Sequence, residues 1–140
     1  MRLPDVNVLV AALRPDAGHH DRCRTWLEDT VNDARPFALT GLVLAGVVRV
    51  LTHPRIFAPP SDLGLVVAEL ERLVGAPRAI RVEPGRRHWR LFSELVATAD
   101  ARGNLVTDAW LAAVAMEHGC TLVTLDGDFA RFSGLDRAAP

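Results

Sequence analysis

Lysine is absent from the chain: all 16 basic residues are arginine. Arginine is the better bidentate ligand for phosphate. A chain rich in Ala, Arg, Val, Gly and Pro reads equally as the product of a GC-rich coding sequence, so this absence alone assigns no ligand. With 17 acidic residues the net charge is −1, and no bulk positive field draws the protein to nucleic acid. The two cysteines, Cys23 and Cys120, lie far apart and outside any CxxC spacing, as small core residues do. The five histidines include no HxxxH ligand pair, so zinc is disfavoured. No apolar run is long enough to span a bilayer, and no leader pattern opens the chain. The expectation is a soluble, cytoplasmic protein. No Ser or Cys nucleophile motif, internal repeat or linker interrupts the 140 residues, which fit one domain, 1–140.

What is present is an alternation of short apolar strands with longer helical patterns. Met1–Pro4 reads as a strand, with Pro4 suited to its last position. Val6, Leu9, Val10 and Leu13 recur at helical spacing, and a second helix covers 19–32. Residues 36–40 form a strand, and 42–52 a nearly all-apolar buried helix whose only charge, Arg49, calls for an anionic partner. Ser61-Asp62 caps a helix to about Val74, with Leu63, Val66, Val67, Leu70 and Val74 inward. Residues 79–82 are a strand. Pro84 opens a helix to about Arg102, with Trp89, Phe92, Leu95 and Val96 inward and Arg86, Arg87 and Arg90 near its start. After the turn at Gly103-Asn104, a helix runs from Asp108 to His118 and stops at Gly119. Thr121–Leu125 is a buried strand, residues 127–132 are a turn or short helix, and the tail past Leu135 is frayed. This order predicts an α/β fold with a mostly parallel sheet.

Acids punctuate that pattern at three places. Asp5 follows the first strand, Asp126 follows the last, and Asp108 opens the helix before it. Each has an ordinary explanation as a helix cap or turn residue. In an open parallel sheet, however, ligands bind beyond the carboxyl ends of the strands. A right-handed crossover brings the start of the helix back to that edge. Three carboxylates meeting there repel one another unless they protonate or bind a cation. Oxygen ligands suit Mg²⁺ or Mn²⁺, and such ions support phosphodiester hydrolysis.

At these residues the chain resembles the PIN-domain family, in particular the VapC ribonuclease toxins of bacterial toxin–antitoxin pairs. Asp5-Val6-Asn7-Val8-Leu9 is similar to the family's D-x-N-x-L start, residues 104–113 to its third acidic motif, and Thr124-Leu125-Asp126-Gly127-Asp128-Phe129 to its closing T-x-D-x-D-F. The resemblance spans nearly the whole chain. It implies a three-layer fold with the sheet flanked by helices. It also implies a Mg²⁺- or Mn²⁺-dependent endoribonuclease acting on tRNA or rRNA, a homodimer, no membrane, and a VapB-type antitoxin partner. By position, Asp5, Asp108 and Asp126 are the implied metal ligands and catalytic residues, and Asn7, Thr124 and Asp128 their supports.

One position departs from the family pattern. Where the family carries a Glu three residues before an Arg, this chain has Gly46 before Arg49. Arg49 is then a candidate partner for phosphate or for a remaining acid. The alternative to the enzyme is a weakened PIN-like module that binds antitoxin or RNA without cutting. A small-molecule phosphohydrolase working through aspartyl phosphate is disfavoured, because the first motif is D-x-N and the chain has no lysine.

Overall fold

The computed structural model describes residues 1–140. Strand β1 (Arg2–Pro4) leads to helices α1 (Val6–Leu13) and α2 (His20–Asn32), then β2 (Phe37–Leu39). Helices α3 (Gly41–Leu51) and α4 (Leu63–Val74) lead to β3 (Ala79–Arg81). Helices α5 (His88–Thr98) and α6 (Asn104–Glu117) lead to β4 (Thr121–Val123). A 3₁₀ turn (Gly127–Arg131) and a two-residue strand β5 (Arg137–Ala138) follow.

The sheet order is β3-β2-β1-β4-β5, and every pairing is parallel. The chain first steps outward from β1 to β3, then crosses back beyond β1 to β4. Because parallel crossovers are right-handed, the reversal puts α1–α4 on one face and α5 and α6 on the other. The expected α/β, three-layer arrangement with a parallel sheet is therefore the one observed. The direction of winding changes between β1 and β4, and a cleft opens at such a switch point.

Pro4 ends the central strand. Asp5 N donates to Val123 O at 2.9 Å, so the alternate position, Pro4, faces β2 without a proton to give. That fits a β1–β2 ladder reduced to the single register Arg2↔Phe37, whereas β1 and β4 match over three. The core lies on both sides of this strand. Val8, Leu9, Ala11 and Ala12 of α1 are buried, and so is the unbroken run Leu111–Ala115 of α6. Alanine-rich faces let a helix approach the sheet closely. Both cysteines are free and buried, as expected.

Several details differ from the sequence reading. Helix α6 begins at Asn104, after Gly103 at φ +56°, so Asp108 sits in its second turn and does not open it. The apolar stripe already starts at Leu105. Helix α3 is buried only along Val43, Val47 and Leu51; Arg49 is exposed and has no anionic partner within 4 Å. Along α4, Leu63 and Val67 face outward and Leu73 is buried instead. Trp89 is 67% exposed, and its neighbour His88 takes the interior place, with Nε2 donating to Trp110 O at 3.0 Å. The tail is not frayed at Arg137–Ala138: Thr124 N donates to Ala138 O at 3.0 Å, closing the sheet edge. No helix is long and apolar enough to cross a membrane.

Candidate metal centre

Asp5 stands where β1 turns into α1, and it serves two partners at once. Its Oδ1 accepts from Val6 N at 2.6 Å as the helix N-cap, and its Oδ2 accepts from Thr124 Oγ1 at 2.8 Å. The capping role and the site role are thus the same geometry. Thr124 follows β4 as Asp5 follows β1, and the parallel register sets them side by side. Its hydroxyl oxygen also accepts from Asp126 N at 3.0 Å and from Asn7 Nδ2 at 3.3 Å. Asn7 Oδ1 in turn accepts from Leu125 N at 3.2 Å. Asp126 Oδ1 accepts from Asp128 N at 2.8 Å, which opens the 3₁₀ turn. The expected supports therefore act as a hydrogen-bonded frame around two strand ends. Asp128 contributes through its backbone amide, with its side chain outward and exposed.

Asp5, Asp108 and Asp126 line one cleft of about 900 Å³, at the upper end of ligand-site volumes. Gly46 and Arg49, from α3, line the same cleft. None of the four acids pairs with an arginine. The electrostatic result is direct. Burial, and then the charges of Asp5, Asp126 and Asp128, push the Asp108 carboxyl up to about 6. Asp5 is raised mainly by burial, against the lowering bonds from Thr124 and Val6, with Asp126 adding repulsion.

The carboxylates are not drawn into a closed cage: no three acid, histidine or cysteine side chains gather tightly enough to hold an ion as they stand. Their chemistry nevertheless fits a hard dication. The donors are carboxylate oxygens, they repel one another, and no protein cation neutralises them.

Arg86, Arg87 and Arg90 are not brought to this cleft. Arg87 Nη2 donates to Glu117 O at 2.8 Å, and Arg90 pairs with Glu94 at 3.2 Å along α5. Arg55 is exposed and also lies outside the lining. The cleft also includes Asn104 and Thr107 from α6, both within the third acidic motif, and Ile56 and Phe57 from the loop before α4. Thr107 adjoins Asp108, which was a usable signal; nothing in the spacing of Ile56 and Phe57 announced them.

Gly46 packs against Val6. A Cβ built on it would lie 2.7 Å from Val6 Cγ2, closer than packed side chains tolerate. The missing acid is therefore tied to a close crossing of α1 and α3.

A right-wound parallel sheet with acids at its switch point defines a class, and sequence comparison agrees. The chain belongs to the PIN-domain family, whose PIN domain matches residues 2–135. Within it, the chain is similar to VapC ribonucleases. It is 44% identical to Ribonuclease VapC43 of Mycobacterium tuberculosis over 131 residues, covering 94% of this chain and 89% of that protein. To Ribonuclease VapC25 of the same organism it is 41% identical over 140 residues, covering 100% and 99%. Among solved structures it is similar to VapBC2 from Rickettsia felis, bound to a DNA fragment from its promoter. The TM-score there is 0.73 at 19% identity, over 99% of this chain and 97% of that one.

Proposed function

We propose that the protein is the ribonuclease toxin of a VapBC-type pair, hydrolysing RNA phosphodiester bonds at the Asp5–Asp108–Asp126 cleft with Mg²⁺ or Mn²⁺. The observation that carries this reading is a set of unneutralised carboxylates at the switch point of the sheet. The full-length similarity to VapC ribonucleases supports it. Asp5, Asp108 and Asp126 would hold the ion, which when bound supplies a neutralising charge for the phosphate and lowers the pKa of an attacking water. Thr124 and Asn7 fix the positions of Asp5 and Asp126, so that the donors do not swing away from the cleft. Arg49, exposed and free of acidic partners in the same cleft, would take a phosphate oxygen of the substrate. A VapB-type antitoxin and a homodimeric state belong to the same reading, as does a cytoplasmic RNA substrate such as tRNA or rRNA.

The test is cleavage of total cellular RNA by the purified protein freed of antitoxin, with Mg²⁺, with Mn²⁺ and with EDTA, beside Asp108→Ala. The expected result is discrete fragments that need the metal and vanish in the variant. Gly46 favours a second reading, in which the cleft binds antitoxin or RNA without cutting. Absence of cleavage under either metal, from folded protein, selects that reading.

A further inference from the structure

The same cleft has one aromatic ring and one arginine among its lining residues, Phe57 and Arg49. Phe57 belongs to the loop joining α3 and α4, with Ile56 beside it 49% exposed. Loops without secondary structure are ordinarily the mobile parts of a fold. This one is folded by bonds from Ile56 N and Phe57 N to His53 O and from Ser61 N to Leu51 O, and one long side chain braces it from α1. Arg14, the C-cap of α1, donates from Nη1 to Ser61 Oγ at 3.0 Å and from Nη2 to Pro59 O at 2.9 Å. Its guanidinium carbon lies over the Phe57 ring, 4.5 Å from the centroid. Asp16 accepts from its Nε and, at 3.0 Å, from Nη2, so each nitrogen of the fork is engaged and the side chain is only 12% exposed.

Resting on the ribonuclease reading, we propose that Phe57 is the stacking platform for a nucleobase next to the scissile phosphate, and that Arg14 is the positioning residue that fixes the ring. Single-stranded RNA is gripped by aromatic faces for bases and cations for phosphates. In this cleft those two elements occur once each, in one lining with the acids. Apart from the Asn7 amide, which is bonded to Thr124 and Leu125, the other lining side chains from α1 and α3 are small or aliphatic. A ring backed by a guanidinium is held still and pays little ordering entropy when a base lands on it. Every nucleotide presents a flat face to such a ring, whereas only a minority of peptide side chains do, so RNA is the favoured occupant.

The experiment uses Asp108→Asn protein in Mg²⁺ as a non-cleaving background. Two probes are titrated: a fluorescent mixed-sequence octaribonucleotide and an abasic ribose-phosphate strand of equal length. Adding Phe57→Leu, which keeps apolar bulk, should weaken the base-bearing strand by about 5- to 100-fold and leave the abasic strand unchanged. Phe57→Trp should restore binding, and Arg14→Met should reproduce the loss at smaller amplitude. Thermal midpoints verify that each variant is folded. The proposal is overturned if folded Phe57→Leu binds both strands as the background does, or loses both equally. Unchanged RNA binding with a weakened co-purified antitoxin complex also overturns it, in favour of a protein occupant. If the wild type cleaves and the background binds RNA, such results remove only the platform. If neither happens, the ribonuclease reading itself falls.

Discussion

Replacing Asp108 by asparagine should make the metal-free protein more stable at neutral pH, although it removes a proposed ligand. The carboxyl is raised from 3.8 to about 6, first by burial and then by its acidic neighbours. A carboxyl with a raised native pKa keeps its proton where the unfolded chain has already released it. Linkage then makes the native state lose stability as pH rises from about 4 to about 6, with the penalty complete above that window. At roughly 1.4 kcal/mol per pKa unit the ceiling is about 3 kcal/mol. Asp108 is only half-buried, and solvent screening reduces this to about 1–1.5 kcal/mol. Asparagine keeps the shape and removes the charge. In EDTA at pH 7.5, urea unfolding should therefore place the variant about 1–1.5 kcal/mol above wild type, or roughly 3–5 °C in thermal midpoint. At pH 4.5, where only about a third of the penalty has set in, the gap should shrink to about 0.5 kcal/mol or less. Asp5 is raised as well, so the pH dependence flattens in the variant without vanishing. Mg²⁺ or Mn²⁺ should then reverse the order. A ligand at a hundredfold excess over its Kd stabilises by about 2.7 kcal/mol, and the wild type alone should gain it. A variant less stable than wild type in EDTA at pH 7.5, or separated by the same margin at both pH values, would refute the repulsive-cluster reasoning.

Thr124→Val should destabilise by about 1–3 kcal/mol by stripping the bonds to Asp5 Oδ2 and Asp126 N, and should lower metal-dependent RNA cleavage more than Thr124→Ser does. Denaturant titration and the cleavage assay read the two effects separately. Gly46→Glu should cost about 1–3 kcal/mol through overpacking against Val6. Val6→Ala in the same chain should recover most of that cost, seen as a non-additive double-mutant cycle; additive losses would show that the crossing is not the obstacle.

The long, periodic parts of the fold were legible from composition and spacing alone. Strand β1, helices α1 to α4 and the β4 ending announced themselves by apolar period and by their stop residues. The convergence of Asp5 and Asp126 followed from chain topology, since both trail parallel neighbours. Other features depended on contacts that the one-dimensional pattern does not carry. Strand β5 is two exposed residues with no apolar signature, recognisable only by its bonds to β4. His88 displaced Trp89 from the interior because Trp110 O accepts its ring proton, a partner twenty-two positions away. Gly103-Asn104 looked like a turn because glycine there serves as the helix cap. Thr124 was legible as a helper, but not as the one hydroxyl tying Asp5, Asn7 and Asp126 together. Phe57 was invisible, since its place depends on Arg14 reaching across forty-three positions.

The close contact between Gly46 and Val6 also has a historical meaning. Positions 6 and 46 touch across two helices, so neither is free to vary alone. A lineage moving toward an acid at 46 meets a steric barrier while a branched residue stands at 6. The passable route shrinks position 6 first and gains the carboxylate second. In an alignment of relatives the two columns should covary, with bulky β-branched residues at 6 accompanying glycine at 46 and smaller ones accompanying glutamate. The absent carboxylate would then mark one of two alternative packings of the same helix pair.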